Sequence, residues 1–356
     1  MRLVSFTTEV AGVGRRHHLG ALASDATTVV DLPTATEARL VAHGLPVSAA
    51  TRVAAGLVPA ELRAFVENAE LDLDAAREAL TWVEATGTEL GPSGAALVHE
   101  LDTVTVRPAV PEPSLIRDFM AFEQHLRNIY PRLGREIPEE WFALPVYYKG
   151  NPQSVGAHLD EIVMPDYAEG RLDFEFEVAA VIGRGGRDIA VEDAMSHVYG
   201  YTIYDDFSAR DTQAREMSVG LGPAKGKDFD RAHVLGPWLV TTDEIADPYA
   251  LAMHADVNGE AWATGSTGDM HWRFEQMIAH ASRGETLRPL EVFGSGTVGG
   301  GSAAERGATL GAGDVVELRV DGLGLLRNTI VAAGGRNRPE SDVPQVRNTP
   351  LTPPTR

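Results

Sequence analysis

Cysteine is absent from all 356 residues. That excludes disulfides, a thiolate nucleophile and any zinc site built on sulfur. Basic residues are scarce beside acidic ones, 31 Lys and Arg against 51 Asp and Glu, for a formal net charge of −20. Phosphate backbones and anionic lipid repel such a chain, so neither nucleic acid nor a membrane is expected as its partner. No apolar run approaches the roughly 20 residues that span a bilayer. Met1 to Val10 has neither the basic start nor the apolar stretch of a secretory leader. A cytoplasmic location is the expectation. What is present is ordinary globular composition, 44% apolar and 23% charged, at a length that suits two domains and a large core.

Taken in order, Leu3 to Thr7, His18 to Ala23 and Thr28 to Leu32 read as short strands separated by turn residues. His17 and His18 are adjacent, so on a strand they face opposite ways and make a poor metal pair. Ala35 to Ala85, rich in Ala, Glu, Leu and Arg, predicts two or three helices, with starts near Pro59 and near Asp72 or Asp74. Leu97 to Val106 alternates as a strand. The proline-rich segment after Val106 reads as an extended linker and sets a domain boundary. Residues 1–107 then form a small α+β domain, 113–335 a second domain, and 336–356 a flexible tail draped over a partner subunit.

The chemistry concentrates between Leu172 and Gln213. Phe174, Phe176 and Val178 alternate with Glu175 and Glu177, which is the period of a strand. Both glutamates therefore share a face while the phenylalanines enter a core. Two carboxylates about 4 Å apart repel by roughly 4 kcal/mol at an effective dielectric near 20, so either water screens them or a cation holds them. Tyr201 to Tyr204 reads as a short strand leading into a helix that starts near Asp206, with Ser208 as N-cap. Asp206, Arg210 and Gln213 would then share one helical stripe. Asp118 and His125 are seven apart, and on a continuous helix they would face the same way, about 10 Å apart. Tyr148 sits in a loop region bounded by Pro145, Gly150 and Pro152. Gly226-Lys227 follows a glycine-rich turn where either Lys225 or Lys227 could neutralise an anion. Gly294 to Gly299 satisfies G-x-G-x-x-G, but further glycines keep breaking the chain, so no dinucleotide fold is expected.

Glu175-Phe-Glu177, the run Tyr204-Asp-Asp206-Phe-Ser-Ala-Arg210-Asp-Thr-Gln213, and Gly226-Lys227-Asp-Phe229 resemble the fumarylacetoacetate hydrolase family, roughly from Pro113 to Ala333. The resemblance implies a mostly β fold with α/β elements. Its C-terminal domain would be a roll of mixed sheets, preceded by the small α+β domain, in a homodimer. It implies metal ligation by Asp118, Glu175, Glu177 and Asp206, with His125 as base and Glu317 as the partner of that base. Arg210, Gln213 and Lys227 would stabilise developing charge, and Tyr148 and Thr297 would touch substrate. Met120 departs from the family, where related hydrolases often carry tyrosine. Four oxygen donors suit Mg²⁺, or Ca²⁺ or Mn²⁺. The implied activity is hydrolysis of a carbon–carbon bond in a 1,3-dicarbonyl or acylpyruvate. The same site could serve a 2-oxo acid decarboxylase, hydratase or tautomerase, or a tailoring enzyme on a larger β-dicarbonyl. A metal-stabilised interaction protein without activity is the reading from another class.

Overall fold

The computed structural model describes residues 1–333 apart from Ala11, Val13, Ala69 and Glu169, so the expected tail at 336–356 lies outside the described residues. Among the described residues, a twelve-stranded sheet dominates. Its main path runs Val98–Glu100, Thr28–Asp31, Gly14–Leu22, Arg2–Val10, His233–Thr241, Val198–Asp206, Phe176–Ile182, Glu291–Gly294, Leu115–Phe119, Tyr147–Gly150. Thr105–Val106 and Val155–Gly156 pair beside that path. A second sheet of five strands runs Glu260–Ser266, Ala252–Val257, Val315–Val320, Gly324–Val331, Glu161–Val163. This is the expected class, sheet-dominated with helices.

Both faces of the long sheet are covered. Phe176, Val178, Ala180 and Ile182 pack in one core with Met253, Val316, Leu318 and Leu326 of the five-stranded sheet. Ala179 and Val181, on the other face of the same strand, pack with Leu3, Leu19, Phe65, Leu235 and Val292. Strands buried on both faces lose the alternation that marks a half-exposed strand and read as apolar runs. The segment before the proline-rich stretch shares this sheet, because Leu3 pairs with Leu239.

Several expectations change in detail. The segment after the third strand forms four helices, Leu32–Ala42, Val47–Leu57, Leu62–Glu67 and Glu70–Thr86, rather than two or three. Asp31 caps the first by accepting the Thr34 N–H at 2.9 Å. Asp72 lies inside the fourth, where its carboxylate accepts from the Asn68 amide at 2.9 Å. Residues 97–106 do not form one strand; a 3-10 turn at Leu101–Thr103 divides it. Asp118 and His125 are not on a continuous helix either. Asp118 lies near the end of the strand Leu115–Phe119, and His125 belongs to the helix Glu123–Ile129.

Candidate active site

Three strands of the long sheet carry three of the carboxylates. Asp118 lies on Leu115–Phe119, Glu177 on Phe176–Ile182 and Asp206 at the end of Val198–Asp206. Glu175 stands just before the central strand, and its carbonyl accepts the Asp206 N–H at 3.1 Å. Between the Asp118 and Glu177 strands runs Glu291–Gly294, with Gly294 opposite Asp118. A Cβ on Gly294 would sit 2.8 Å from Glu177 Oε2 and from the Tyr204 ring, so the glycine makes room for the carboxylate. All four acids are buried, and one ligand oxygen from each lies within 4.8 Å of the others. The strand therefore turns Glu175 and Glu177 to one side, but that side is interior rather than solvated.

The expected helix from Asp206 does not form. Strand geometry continues through Asp206, and the helix is Arg210–Val219. Ser208 is no cap for it; its hydroxyl donates to the Asp206 carbonyl at 3.1 Å. Arg210 and Gln213 still reach the site from the first turn. Arg210 donates to Asp173 Oδ2 at 2.7 Å and to Gln213 Oε1 at 3.0 Å, and pairs with Glu175 Oε1 at 2.7 Å. Lys227 Nζ meets Glu175 Oε2 at 2.6 Å and also contacts Asp206 Oδ2. Lys225 lies outside this network, with its ammonium over the Tyr167 ring. Tyr148 donates to Asp206 Oδ2 at 2.6 Å. Thr297 is buried in the loop after Gly294, where the neighbouring Gly296 N–H donates to Glu177 Oε2 at 2.8 Å.

The charges divide the four acids into two kinds. Burial opposes ionisation of Glu175, but Arg210 and Lys227 outweigh it and hold this carboxyl below its usual range. Burial likewise opposes ionisation of Asp206, and Lys227 together with His233 reverses that effect. For Asp118, burial and then the Asp206 charge push the carboxyl well above the ordinary range. Glu177 is pushed up in the same way by burial and then Asp118. Three of the four acids have an orphaned oxygen: Asp118 Oδ1, Glu177 Oε1 and Asp206 Oδ1 have no hydrogen-bond partner among the described residues. Buried, unpaired carboxylate oxygens are costly, and a divalent cation would satisfy both the bonds and the charge. The donor set fits such an ion.

His125 is buried beside this cluster, close enough for a charge on it to favour ionised Glu175. Its partner is not Glu317. His125 Nδ1 donates to Glu305 Oε1 at 2.7 Å. Glu305 is fixed in turn by the Gly300 N–H at 2.7 Å and by the Asn128 amide. Glu317 lies on Val315–Val320 in the five-stranded sheet and faces Arg327 at 3.4 Å. The correction has a simple cause: strand alternation gives the side of a sheet a residue faces, not which sheet it joins.

Sequence reasoning missed three residues. Glu305 follows Ser302 in the S-x-x-E pattern of a helix start, and Ser302 does cap Ala303–Arg306; that pattern marks the turn and says nothing of His125. Asp173 binds Arg210 and accepts the Ala303 N–H at 2.6 Å. His233 is wholly buried with Nδ1 2.9 Å from Asp206 Oδ1.

Residues 114–331 match the family model described as fumarylacetoacetate (FAA) hydrolase C-terminal. The oxaloacetate tautomerase YisK of Bacillus subtilis is 30% identical over 276 residues, 77% of this chain and 87% of that protein. A mitochondrial oxaloacetate tautomerase of Xenopus laevis, fahd2, is 34% identical over 276 residues, 77% of this chain and 79% of that one. The crystal structure of maleylpyruvate hydrolase from Sphingobium sp. SYK-6, in complex with manganese(II) and pyruvate, shares the fold. Its TM-score is 0.65 at 23% identity, over 94% of this chain and 100% of that one.

Proposed function

This chain belongs to the fumarylacetoacetate hydrolase family of enzymes, and we propose that it is a divalent-metal-dependent tautomerase of a small 2-oxo acid with an acidic methylene, of the oxaloacetate type. The observation that carries the reading is the His125 imidazole, held in one tautomer by Glu305, beside four converging carboxylates. Glu305 takes the His125 Nδ1–H, which leaves the Nε2 lone pair to act as base. A keto–enol shift needs one group that takes a proton from carbon and another that supplies one to oxygen. His125 Nε2 removes the proton from the methylene carbon, and the electron pair moves toward the 2-oxo oxygen. A proton from solvent on that oxygen completes the enol, and His125 gives its own to solvent to restore the neutral base; the reverse path returns the keto form. Lys227 and Arg210 are the fixed cations nearest the developing charge, and Gln213 steadies Arg210.

Mg²⁺ or Mn²⁺ held by Asp118, Glu175, Glu177 and Asp206 would supply Lewis-acid polarisation of the substrate oxygens. In this reading Tyr148 and Thr297 would touch the substrate. The relatives over most of this chain carry the tautomerase name, and that supports the reading above hydrolysis. Hydrolysis of an acylpyruvate carbon–carbon bond is the second reading. The same dyad favours it, since a base fixed in one tautomer can equally take a proton from water. A homodimer in the cytoplasm is the setting we propose.

The test follows the enol absorbance of oxaloacetate with purified protein and Mg²⁺ or Mn²⁺. Metal-dependent interconversion is expected, lowered about 10²- to 10⁴-fold in His125→Ala. Acylpyruvate cleavage outpacing tautomerisation would move the assignment to the second reading. No metal-dependent turnover of either kind would reject both.

A further inference from the structure

His233 has no part in the chemistry above, yet it is wholly buried beside Asp206. It opens the strand His233–Thr241, and Asp206 ends the neighbouring strand directly opposite it in register. Its ring is sandwiched against the strand Tyr147–Gly150. A Cβ on Gly150 would come within 3.1 Å of both Cε1 and Nε2, so the absence of a side chain there admits the imidazole. The next residue, Asn151, donates its backbone N–H to His233 Nε2 at 3.2 Å.

That bond decides the tautomer. A nitrogen that accepts from a backbone amide carries a lone pair, so the neutral ring bears its proton on Nδ1. The Nδ1–H donates to Tyr204 Oη at 2.8 Å, and Nδ1 also lies 2.9 Å from Asp206 Oδ1, an oxygen with no hydrogen bond of its own. The other carboxylate oxygen, Asp206 Oδ2, is held from elsewhere by Tyr148 and Lys227. Asp206 is thus hydrogen-bonded through Oδ2 alone, and His233 is the group among these that lies against Oδ1.

We propose that His233 is a positioning residue for the metal ligand Asp206: Asn151 and Gly150 set the ring, and the ring sets the carboxylate. The inference rests on the proposed metal site. Groups behind a ligand that fix its orientation typically account for 10- to 100-fold in metal affinity. They do so without touching the ion.

The experiment is Mn²⁺ titration by calorimetry of the full chain, wild type beside His233→Ala, His233→Gln and His233→Asn, with each variant's metal-free melting temperature recorded. An asparagine amide can place an N–H near the position of Nδ1, whereas glutamine reaches toward that of Nε2. The expected result is a loss of about 10- to 100-fold in Mn²⁺ affinity for alanine and glutamine, with asparagine within about threefold of wild type. That order is not one that a packing role would produce, since glutamine fills the space better than asparagine. Equal affinity in all three variants, or equal loss in all three, overturns the proposal. Tyr204→Phe, close in shape, guards against variants that fail to fold. It leaves the Nδ1–H to Asp206 alone, so affinity should hold or rise, and a tenfold loss also overturns the proposal. Failure of the wild-type protein to bind Mn²⁺ would instead reject the metal site itself.

Discussion

At the scale of single residues, the sharpest discrimination lies between two glutamates. Glu305 holds His125 Nδ1 at 2.7 Å, whereas Glu317 faces Arg327 on another sheet. A carboxylate behind an imidazole fixes its tautomer and stabilises its cation, so removing it strikes each proton transfer. Glu305→Ala is expected to lower turnover about 10- to 1,000-fold while Mn²⁺ affinity stays within a few-fold. Glu317→Ala should change turnover by no more than about twofold, as partly exposed residues away from a site usually do. Steady-state rates and a metal titration on both variants check this; the reverse ranking would return the dyad to Glu317. Glu175, Glu177, Asp206, Arg210 and Lys227 stand in compact strings beside glycine or alternating phenylalanine that carry the family resemblance, and Asp118 was reached only through that resemblance. Glu305 was not, because 180 residues separate it from His125 and only the folded chain joins them. His233 was hidden for a similar reason, since a lone histidine among apolar residues carries no partner in its own sequence.

At the scale of elements, strand alternation around Glu175 gave the shared side of the two glutamates and left their environment open. A single strand does not reveal whether a second layer covers its polar face. The helix expected from Asp206 failed because Asp-Asp-Phe-Ser looks like a turn and cap, yet each of these side chains is buried here. Polar residues buried at a site obey the needs of its chemistry rather than local propensity. The glycine pattern after residue 294 has a physical use of its own in the site. Gly296 has φ of +79°, and a Cβ there would lie 2.5 Å from the Phe119 carbonyl oxygen and 2.8 Å from Met120 Cα. Its N–H also holds Glu177 Oε2. Gly296→Ala therefore meets both a conformational and a steric penalty, together about 2–4 kcal/mol. Urea unfolding should register that loss, and Mn²⁺ titration should register a displaced Glu177. An alanine variant with wild-type midpoint and affinity would mean that the loop relaxes freely.

At the scale of the whole molecule, the sheet-rich fold class was legible in the sequence, but the pairing of Arg2–Val10 with His233–Thr241 was not. The proline-rich segment suggests a hinge between separate bodies. Arg2–Val10 nevertheless lies in the sheet between Gly14–Leu22 and His233–Thr241. Leu3, Leu19, Leu32 and Phe65 share one core with Ala179, Leu235, Leu239 and Val292. Residues 1–107 hold none of the four carboxylates, so we propose that their part is structural. A chain beginning at Pro108 would leave His233–Thr241 as an edge and uncover the apolar face above it. Exposed edge strands invite pairing with other chains. Each large apolar side chain stripped of its cover forfeits about 1.5–3 kcal/mol, so the loss of several rivals the whole stability of a typical domain, about 5–15 kcal/mol. The expected outcome is a shortened chain that aggregates or unfolds without cooperativity. In the intact protein, His17→Ala, on the exposed side of its strand, should leave Mn²⁺ affinity unchanged. Sedimentation and thermal unfolding of the shortened chain decide the matter. A monodisperse species with a cooperative transition near that of the full chain would make the two segments independent bodies, despite the sheet they share.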